Sequence, residues 1–332
     1  MALILGVDGG NTKSIALVAQ PDGTIIGAGR SGCTDIYGAA SPAAAMAELE
    51  RALDAALAQA DSARSAITTA CFSLAGADWP EDYAYLTAQI TARGLASDFV
   101  VANDALGSLR AGVLDGVGVV AACGTGFATA ARNAAGDFWH GSFWLEGLGG
   151  IELGRMALRA VVRAELGIEP PTALTAPLVA HFQQPDTESV LRLFTLNGQP
   201  HPTENDLSRL APLVLRSAAE GDAAARAIIR YHAEHVLDYA LVAARKVGLT
   251  DQPFTLVLNG GIFRDAGGTL LAALRDACSR RAPQITLVRG RYEPAVGALL
   301  HAFDRAGYPL DAERIGRIEA SVPPVAFFAT HT

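Results

Sequence analysis

Apolar positions along the chain fall into short runs that end in glycine. Leu3–Val7 is the first, closed by Asp8-Gly9-Gly10-Asn11. Ser14–Val18 and Thr24–Ala28 follow as strands, with the turn Pro21-Asp22-Gly23 between them. Pro42 then opens a stretch of helical spacing that lasts to about Ala60. Ile67–Leu74 reads as a strand ending at Ala75-Gly76, Pro80–Arg93 as a helix, and Phe99–Ala102 as a short buried strand. Asn103-Asp104 stands at the end of that strand, before a helix to Ala111. The pattern then restarts. Val117–Cys123 is an apolar strand closed by Gly124-Thr125-Gly126, with Phe127–Arg132 and Asp137–Trp144 as the next two strands. Gly154–Leu166 is a helix, and roughly 170–250 is mostly helical, as an insertion would be. Phe254–Leu258 is a strand ending in Asn259-Gly260-Gly261. A helix over Thr269–Arg280, a strand over Ile285–Val288 and a helix from Pro294 to about Arg305 complete the order; the tail around Pro323-Pro324 reads as weakly ordered.

Each half thus begins strand, glycine turn, strand, strand, and then alternates helices with strands. That order predicts an α/β fold, a mixed sheet with helices on both faces, built twice. The expected division is 1–114 and 115–332, with the insertion in the second domain and the helix near 294–305 packing back on the first. Ligands in such sheets bind where strands end, and two similar domains are expected to enclose a cleft. Composition narrows the function. Half of the 332 residues are hydrophobic and 18% are charged, which excludes global disorder. A net charge of −8 argues against nucleic acid or an anionic membrane as the main partner. Mean hydropathy is positive, +0.25, yet 64 alanines account for much of it, and no apolar run reaches the roughly 18–20 residues of a membrane span. The first strand has no basic segment before it, so a cytoplasmic protein is expected. Cys33, Cys71, Cys123 and Cys278 form no C-x-x-C pair and are expected as free thiols. Lys13 is one of only two lysines, the other being Lys246.

Four stretches can carry chemistry. In Asp8-Gly9-Gly10-Asn11-Thr12-Lys13 the glycines let amides approach a phosphate, Thr12 adds a hydroxyl and Lys13 a positive charge. Asp8 can hold Mg²⁺ through water; an ordinary hairpin turn has the same dipeptides. Gly124-Thr125-Gly126 occupies the matching turn of the second half. Asp104, at a strand end beside Asn103, is placed to act as a general base on an acceptor hydroxyl, or to cap the helix that follows. Asn259-Gly260-Gly261 can lie under a nucleotide base or be only a turn. His232 and His235, three apart on one helix, have no third metal ligand in evidence and read as helix surface or domain interface.

Taken in order, Asp8–Lys13, Ala75–Asp78, Asn103-Asp104-Ala105, Cys123–Gly126 and Asn259–Ile262 resemble the actin/hexokinase/heat-shock-chaperone ATPase superfamily. Within it the chain resembles the BadF/BadG/BcrA/BcrD-type ATPase family, which includes N-acetylglucosamine kinases. The match runs from Leu3 to about Phe303 and takes in Pro80-Glu81-Asp82 and Pro294–Ala298. The resemblance implies two ribonuclease-H-like (actin-like ATPase) domains with ATP and Mg²⁺ between them. Asp8 would sit at the metal, and Gly10, Asn11, Thr12 and Lys13 would form the first phosphate loop. Gly124, Thr125 and Gly126 would form the second, with Gly260 and Gly261 near the adenosine and Asp104 as catalytic base. Asp35, Gly76, Asn103 and Glu146 would line the sugar site. The chain departs from the sugar-kinase pattern in three places. Phe127 stands where a serine usually follows the second loop. His140-Gly141 and Glu146-Gly147 align with the W-G and D-E pairs, and Asp35 replaces an asparagine that contacts the sugar. Trp139, Trp144 and Phe127 offer an apolar platform for a sugar face or simply pack in the core.

The resemblance therefore implies a cytoplasmic, homodimeric kinase that phosphorylates an amino sugar, N-acetylglucosamine at the 6-hydroxyl, with MgATP as donor. Glucosamine kinase is the near alternative, favoured by the acidic Asp35 and Glu146. A reductase-activating ATPase would need paired cysteines for an iron–sulfur cluster, and a non-catalytic sugar sensor would retain the binding residues without transfer.

Overall fold

The first three strands form an antiparallel meander: β1 (Leu3–Gly9), β2 (Ser14–Ala19) and β3 (Ile25–Ser31), with Asp8 opposite Ile15 and Gly9 opposite Ser14. The coordinates are a computed structural model that describes residues 2–144, 147–198, 200–250 and 252–329. Helix α1 (Pro42–Gln59) starts where the Ser41 side chain accepts the Ala44 amide and Pro42 supplies a preset φ. Strand β4 (Ile67–Leu74) pairs parallel to β1. After α2 (Pro80–Ala92), β5 (Asp98–Asn103) pairs parallel to β4 and leads into α3 (Asp104–Arg110). The sheet order is β3-β2-β1-β4-β5. Side chains alternate across β1 as strand geometry requires. Leu3, Leu5 and Val7 join the cluster with Met46, Leu49 and Leu53 of α1, while Ile4 joins a second cluster on the other face.

The second sheet repeats the first. It is built from β6 (Gly118–Cys123), β7 (Phe127–Arg132), β8 (Phe138–His140), β9 (Phe254–Asn259) and β10 (Ile285–Arg289) in the order β10-β9-β6-β7-β8. Strands β6, β9 and β10 run parallel and β8 antiparallel to β7. This is the strand order of the first sheet, so the α/β duplication read from the sequence is present and both units are ribonuclease-H-like. Between β8 and β9 lie α4 (Gly150–Glu165), α5 (Thr175–His181), α6 (Thr187–Thr195), α7 (Glu204–Ser208), α8 (Ala211–Ala219) and α9 (Ala223–Lys246); α10 (Thr269–Arg281) joins β9 to β10. The third strand of this half is shorter than the expected Asp137–Trp144, because Ser142–Trp144 winds into a 3₁₀ turn. Helix α4 begins four residues before the expected Gly154.

The chain then returns to the first compact unit, which comprises the residues up to 118 and those from 290 onward. Helix α11 (Pro294–Arg305) packs Val296, Leu299, Leu300 and Phe303 with Ile4, Ile15 and Leu17. The tail departs from its weakly ordered reading. Asp311 caps α12 (Ala312–Ser321) by accepting the Arg314 amide, Ile315 and Ile318 are buried, and α13 (Val325–Phe328) buries Phe328. Two isoleucines among arginines and glutamates are too sparse a pattern to stand out in the sequence; in the structure hydrogen bonds add to them, the Ile25 amide donating to Ser321 Oγ at 2.8 Å and Arg314 Nε to the Pro21 carbonyl at 3.0 Å.

Candidate active site

The turn after β1 is closed by backbone: the Gly10 amide donates to the Lys13 carbonyl at 3.0 Å, and the Thr34 amide donates to the Gly10 carbonyl at 3.1 Å. Asn11 and Thr12 are exposed at the tip. Side chains fix the rest. The Lys13 ammonium donates to the Phe328 carbonyl, and Ser14 Oγ shares a hydrogen bond with Thr34 Oγ1 at 2.8 Å. Asp8, at the end of β1, has its carboxyl pushed up to about 7, mainly by burial; the nearby Lys13 opposes the shift and the Glu293 carboxylate adds to it.

Beside it, the ends of β4 and β5 bring together a group of carboxylates. Asn103, not Asp104, caps α3: its Oδ1 accepts the Ala105 amide at 3.1 Å, and its Nδ2 donates to Asp78 Oδ1 at 3.0 Å and to the Ala77 carbonyl at 3.3 Å. Asp104 is therefore relieved of the capping role and opens the first helical turn. Its carboxyl is raised to about 7, first by burial and then by Asp8, Asp78 and Asp35. A carboxyl that titrates near neutrality accepts a proton far more readily than an ordinary aspartate. Ser73 locks this corner, donating to the Asn103 carbonyl and accepting the Gly107 amide, both at 3.1 Å. Asp35 accepts the Tyr37 amide at 2.9 Å and lies against Gly76, where an added Cβ would come within 3.0 Å of its Oδ1. Asp82 holds the loop above, accepting the Trp79 amide at 2.8 Å and the Tyr37 hydroxyl at 2.9 Å.

In the second unit the Gly124 amide donates to the Gly126 carbonyl at 3.0 Å, which closes the turn and leaves Thr125 and Gly126 exposed at its tip. The turn's carbonyls face the start of α4: Gly150 donates to Gly124 at 2.8 Å and Ile151 to Thr125 at 3.0 Å. Two glycines hem it in. Gly149 has φ +84° and its absent Cβ would fall 2.1 Å from the Gly126 carbonyl oxygen; Gly260 has φ +94° and would meet the Cys123 oxygen at 2.2 Å. Gly260 therefore has a structural duty besides any contact with a nucleotide. Its amide donates to Asn259 Oδ1 at 2.8 Å, and Asn259 Nδ2 is buried without a partner among the described residues. Gly261 opens a 3₁₀ turn and has open space around it.

Not every expected residue is placed here. Glu146 lies outside the described residues. Phe127 and Trp139 pack against the core of the second unit, Phe127 with its ring centroid 6.0 Å from that of Tyr239, whereas Trp144 is 73% exposed. His140 Nδ1 pairs with Ser142 Oγ at 2.5 Å. His232 is not on a surface: it is 0% exposed, and its Nε2 accepts the Gly149 amide at 3.1 Å. His235 instead binds the Tyr231 carbonyl and stacks on that ring. Sequence reasoning also missed Asp78, Tyr83 and Glu293 as members of the first cluster. Burial pushes the Tyr83 hydroxyl up to about 12, with Asp78 and Asp104 adding to the shift and the Asn103 backbone opposing it. Asp78 lay within the quoted stretch Ala75–Asp78 and Glu293 directly before the quoted Pro294–Ala298; Tyr83 carried no signal. The four cysteines are free thiols, all buried except the half-buried Cys33. Among the described residues no helix is long and apolar enough to cross a membrane.

Two mixed five-stranded sheets of one strand order, each with a glycine turn after its first strand, make the two-unit ribonuclease-H-like fold of the actin-like ATPases. The chain belongs to the BadF/BadG/BcrA/BcrD ATPase family, whose model matches residues 5–302. It is 24% identical over 315 residues to an N-acetyl-D-glucosamine kinase of Dictyostelium discoideum, covering 91% of this chain and 98% of that one. A solved structure from Chromobacterium violaceum, provisionally named an N-acetylglucosamine kinase, superposes with a TM-score of 0.68 at 25% identity, covering 90% of this chain and 98% of that one. A Streptomyces griseus ROK family glucokinase in complex with glucose and AMPPNP shares the fold at TM-score 0.54 and 18% identity, covering 91% and 98% of the two chains.

Proposed function

We propose that the protein is an ATP-dependent kinase that transfers the γ-phosphoryl group to the 6-hydroxyl of N-acetylglucosamine. The observation that carries the reading is Asp104: a carboxyl freed from capping by Asn103 and raised to about 7, in a chain akin to an N-acetyl-D-glucosamine kinase. In this reading the acceptor hydroxyl binds against Asp104, which takes its proton as the oxygen attacks. Positioning and charge stabilisation supply the remaining rate, as in phosphoryl transfer generally. The exposed tips Asn11-Thr12 and Thr125-Gly126 receive the phosphates, Lys13 adds a positive charge, and Gly260 and Gly261 border the adenosine. Asp35, Gly76 and Asn103 surround the sugar.

Mg²⁺ suits the donors present. Asp8 is a hard oxygen donor whose carboxyl is raised mainly by burial, and the Glu293 carboxylate adds negative charge beside it, a setting that favours a dication. Bound there, the ion would offset charge on the phosphates. In the cell we place the enzyme in the cytoplasm as a homodimer, a state that light scattering on the purified chain checks.

A second substrate reading rests on one observation. Asp35 and Asp78 both add negative charge at Asp104, a setting that suits the ammonium of glucosamine. ADP release measured against N-acetylglucosamine, glucosamine, muramic derivatives and plain hexoses separates the two. Turnover confined to N-acetylglucosamine supports the first reading, a preference for glucosamine the second, and no turnover with any sugar contradicts both.

A further inference from the structure

The backbone that holds the turn at Gly124–Gly126 is itself tied to a core side chain. Helix α4 meets the turn's carbonyls with the Gly150 and Ile151 amides, and Gly149, in the left-handed region, brings the chain against the Gly126 carbonyl. The Gly149 amide itself points into the core, where His232 of α9 accepts it at 3.1 Å. An Nε2 that accepts must be unprotonated, so the ring proton resides on Nδ1. Nδ1 is buried with no partner among the described residues. A buried donor left without a partner calls for an explanation. An apolar side chain here would leave the Gly149 amide unpaired, and an ordinary core histidine would pair both nitrogens. The imidazole is also kept neutral, its pKa lowered to about 4 chiefly by burial, with His235 on the same helix adding to the effect.

We infer that His232 is a positioning residue for the second phosphate turn: its imidazole anchors Gly149, and Gly149 in turn fixes the Gly150 and Ile151 amides that hold the carbonyls of Gly124 and Thr125. The inference rests on the reading of that turn as a nucleotide site. His232 touches no substrate and acts through backbone alone, so its removal should be felt in nucleotide binding before it is felt in chemistry.

The test compares the full-length wild type with His232→Leu, which fills the space without an acceptor, and His232→Gln, whose Oε1 can accept the Gly149 amide. MgATP affinity is read by calorimetry, and KM and kcat by ADP release. The expected result is a Leu variant with KM and Kd for MgATP raised about 10-fold or more, a sugar KM within about 2-fold of wild type, and a Gln variant restored to within about 3-fold. Equal loss in both variants would assign His232 a packing role and overturn the inference, as would an unchanged Leu variant beside a wild type that binds MgATP. A wild type that binds no MgATP overturns the nucleotide reading itself. The wild type alone supplies a further check if a variant fails to fold. Histidine side-chain ¹⁵N spectra between pH 6 and 8 should show His232 neutral with the proton on Nδ1, and a proton on Nε2 contradicts the anchor.

Discussion

The two glycine turns occupy equivalent places in duplicated sheets, yet they are secured in different ways. In both, one glycine amide, that of Gly10 or of Gly124, closes the turn and the next two residues are exposed at its tip. The turn after β1 is then tied by side chains, Lys13 to the Phe328 carbonyl and Ser14 to Thr34, and it sits beside carboxylates. Among the described residues the turn after β6 shows no such ties; backbone bonds from α4 hold it, with Gly149 and Gly260 as spacers and His232 as the anchor. One half therefore concentrates charge and the other concentrates conformational constraint. Duplication copied the sheet order, and what diverged is the means of fixing each turn.

The contrast is sharpest at glycines within the second turn and beside it. Gly149→Ala forces a side chain into the left-handed region and against a carbonyl oxygen. It should cost roughly 3–5 kcal/mol in denaturant unfolding; a wild-type midpoint would show that the turn is not constrained as described. Gly124→Val meets open space, with no backbone strain, so its thermal midpoint should stay within about 2 °C of wild type. Its affinity for MgATP should nonetheless fall at least about 10-fold by calorimetry, because the added side chain stands where a phosphate must approach. A folded Gly124→Val that binds MgATP normally would remove the turn from the nucleotide site.

The buried titratable groups of the two units should respond to pH in opposite senses. The Asp104 carboxyl is raised from 3.8 to about 7 in the folded chain. The stability it lends is present below pH 4 and is lost as pH rises from 4 to 7, since the unfolded chain releases the proton first. Asp104→Asn should therefore stabilise the protein at pH 8, by about 1–3 kcal/mol, and leave it unchanged at pH 3.5. A destabilised Asn variant at pH 8 contradicts the environment assigned to Asp104. His232 runs the other way. Its folded pKa is lowered from 6.5 to about 4, so its contribution is complete above pH 6.5 and disappears as pH falls to 4. His232→Leu should flatten that acid limb of the stability profile, and an unaltered limb would place the titrating group elsewhere. The smallest effect is at Lys13. Its charge holds the Asp8 carboxyl down, so Lys13→Met should raise the Asp8 pKa above about 7 in a ¹³C carboxyl titration. No movement would separate the two groups.

Much of the charged half was legible in the sequence. Asp8, Gly76, Asn103 and Asp104 stand at strand ends that hydrophobic runs mark clearly, Asp35 came only from the family resemblance, and the structure brings them onto one corner of the first sheet. What could not be read was the division of labour between Asn103 and Asp104, since either can cap a helix and only the coordinates show which one does. The constrained half was less legible. Gly149 and His232 are far apart along the chain and joined by one hydrogen bond, a relation with no period or spacing to betray it. The tail escaped for a related reason: Phe328 is buried and its carbonyl meets Lys13 across the length of the sequence, and the apolar run Val325–Phe328 behind two prolines is too short to announce a helix.

The claim that the first unit carries the chemistry and the turns carry the nucleotide is tested most directly by product formation in Asp104→Asn. With saturating MgATP and N-acetylglucosamine, the wild type should yield ADP and the sugar 6-phosphate in equal amounts, identified by ³¹P spectra. The variant keeps its helix cap at Asn103 and should fold, bind both substrates within a few-fold of wild type, and lose about 10²–10⁴-fold in kcat. A folded variant that forms the phosphate nearly as fast as wild type, or a wild type that binds both substrates and forms none, would contradict the account.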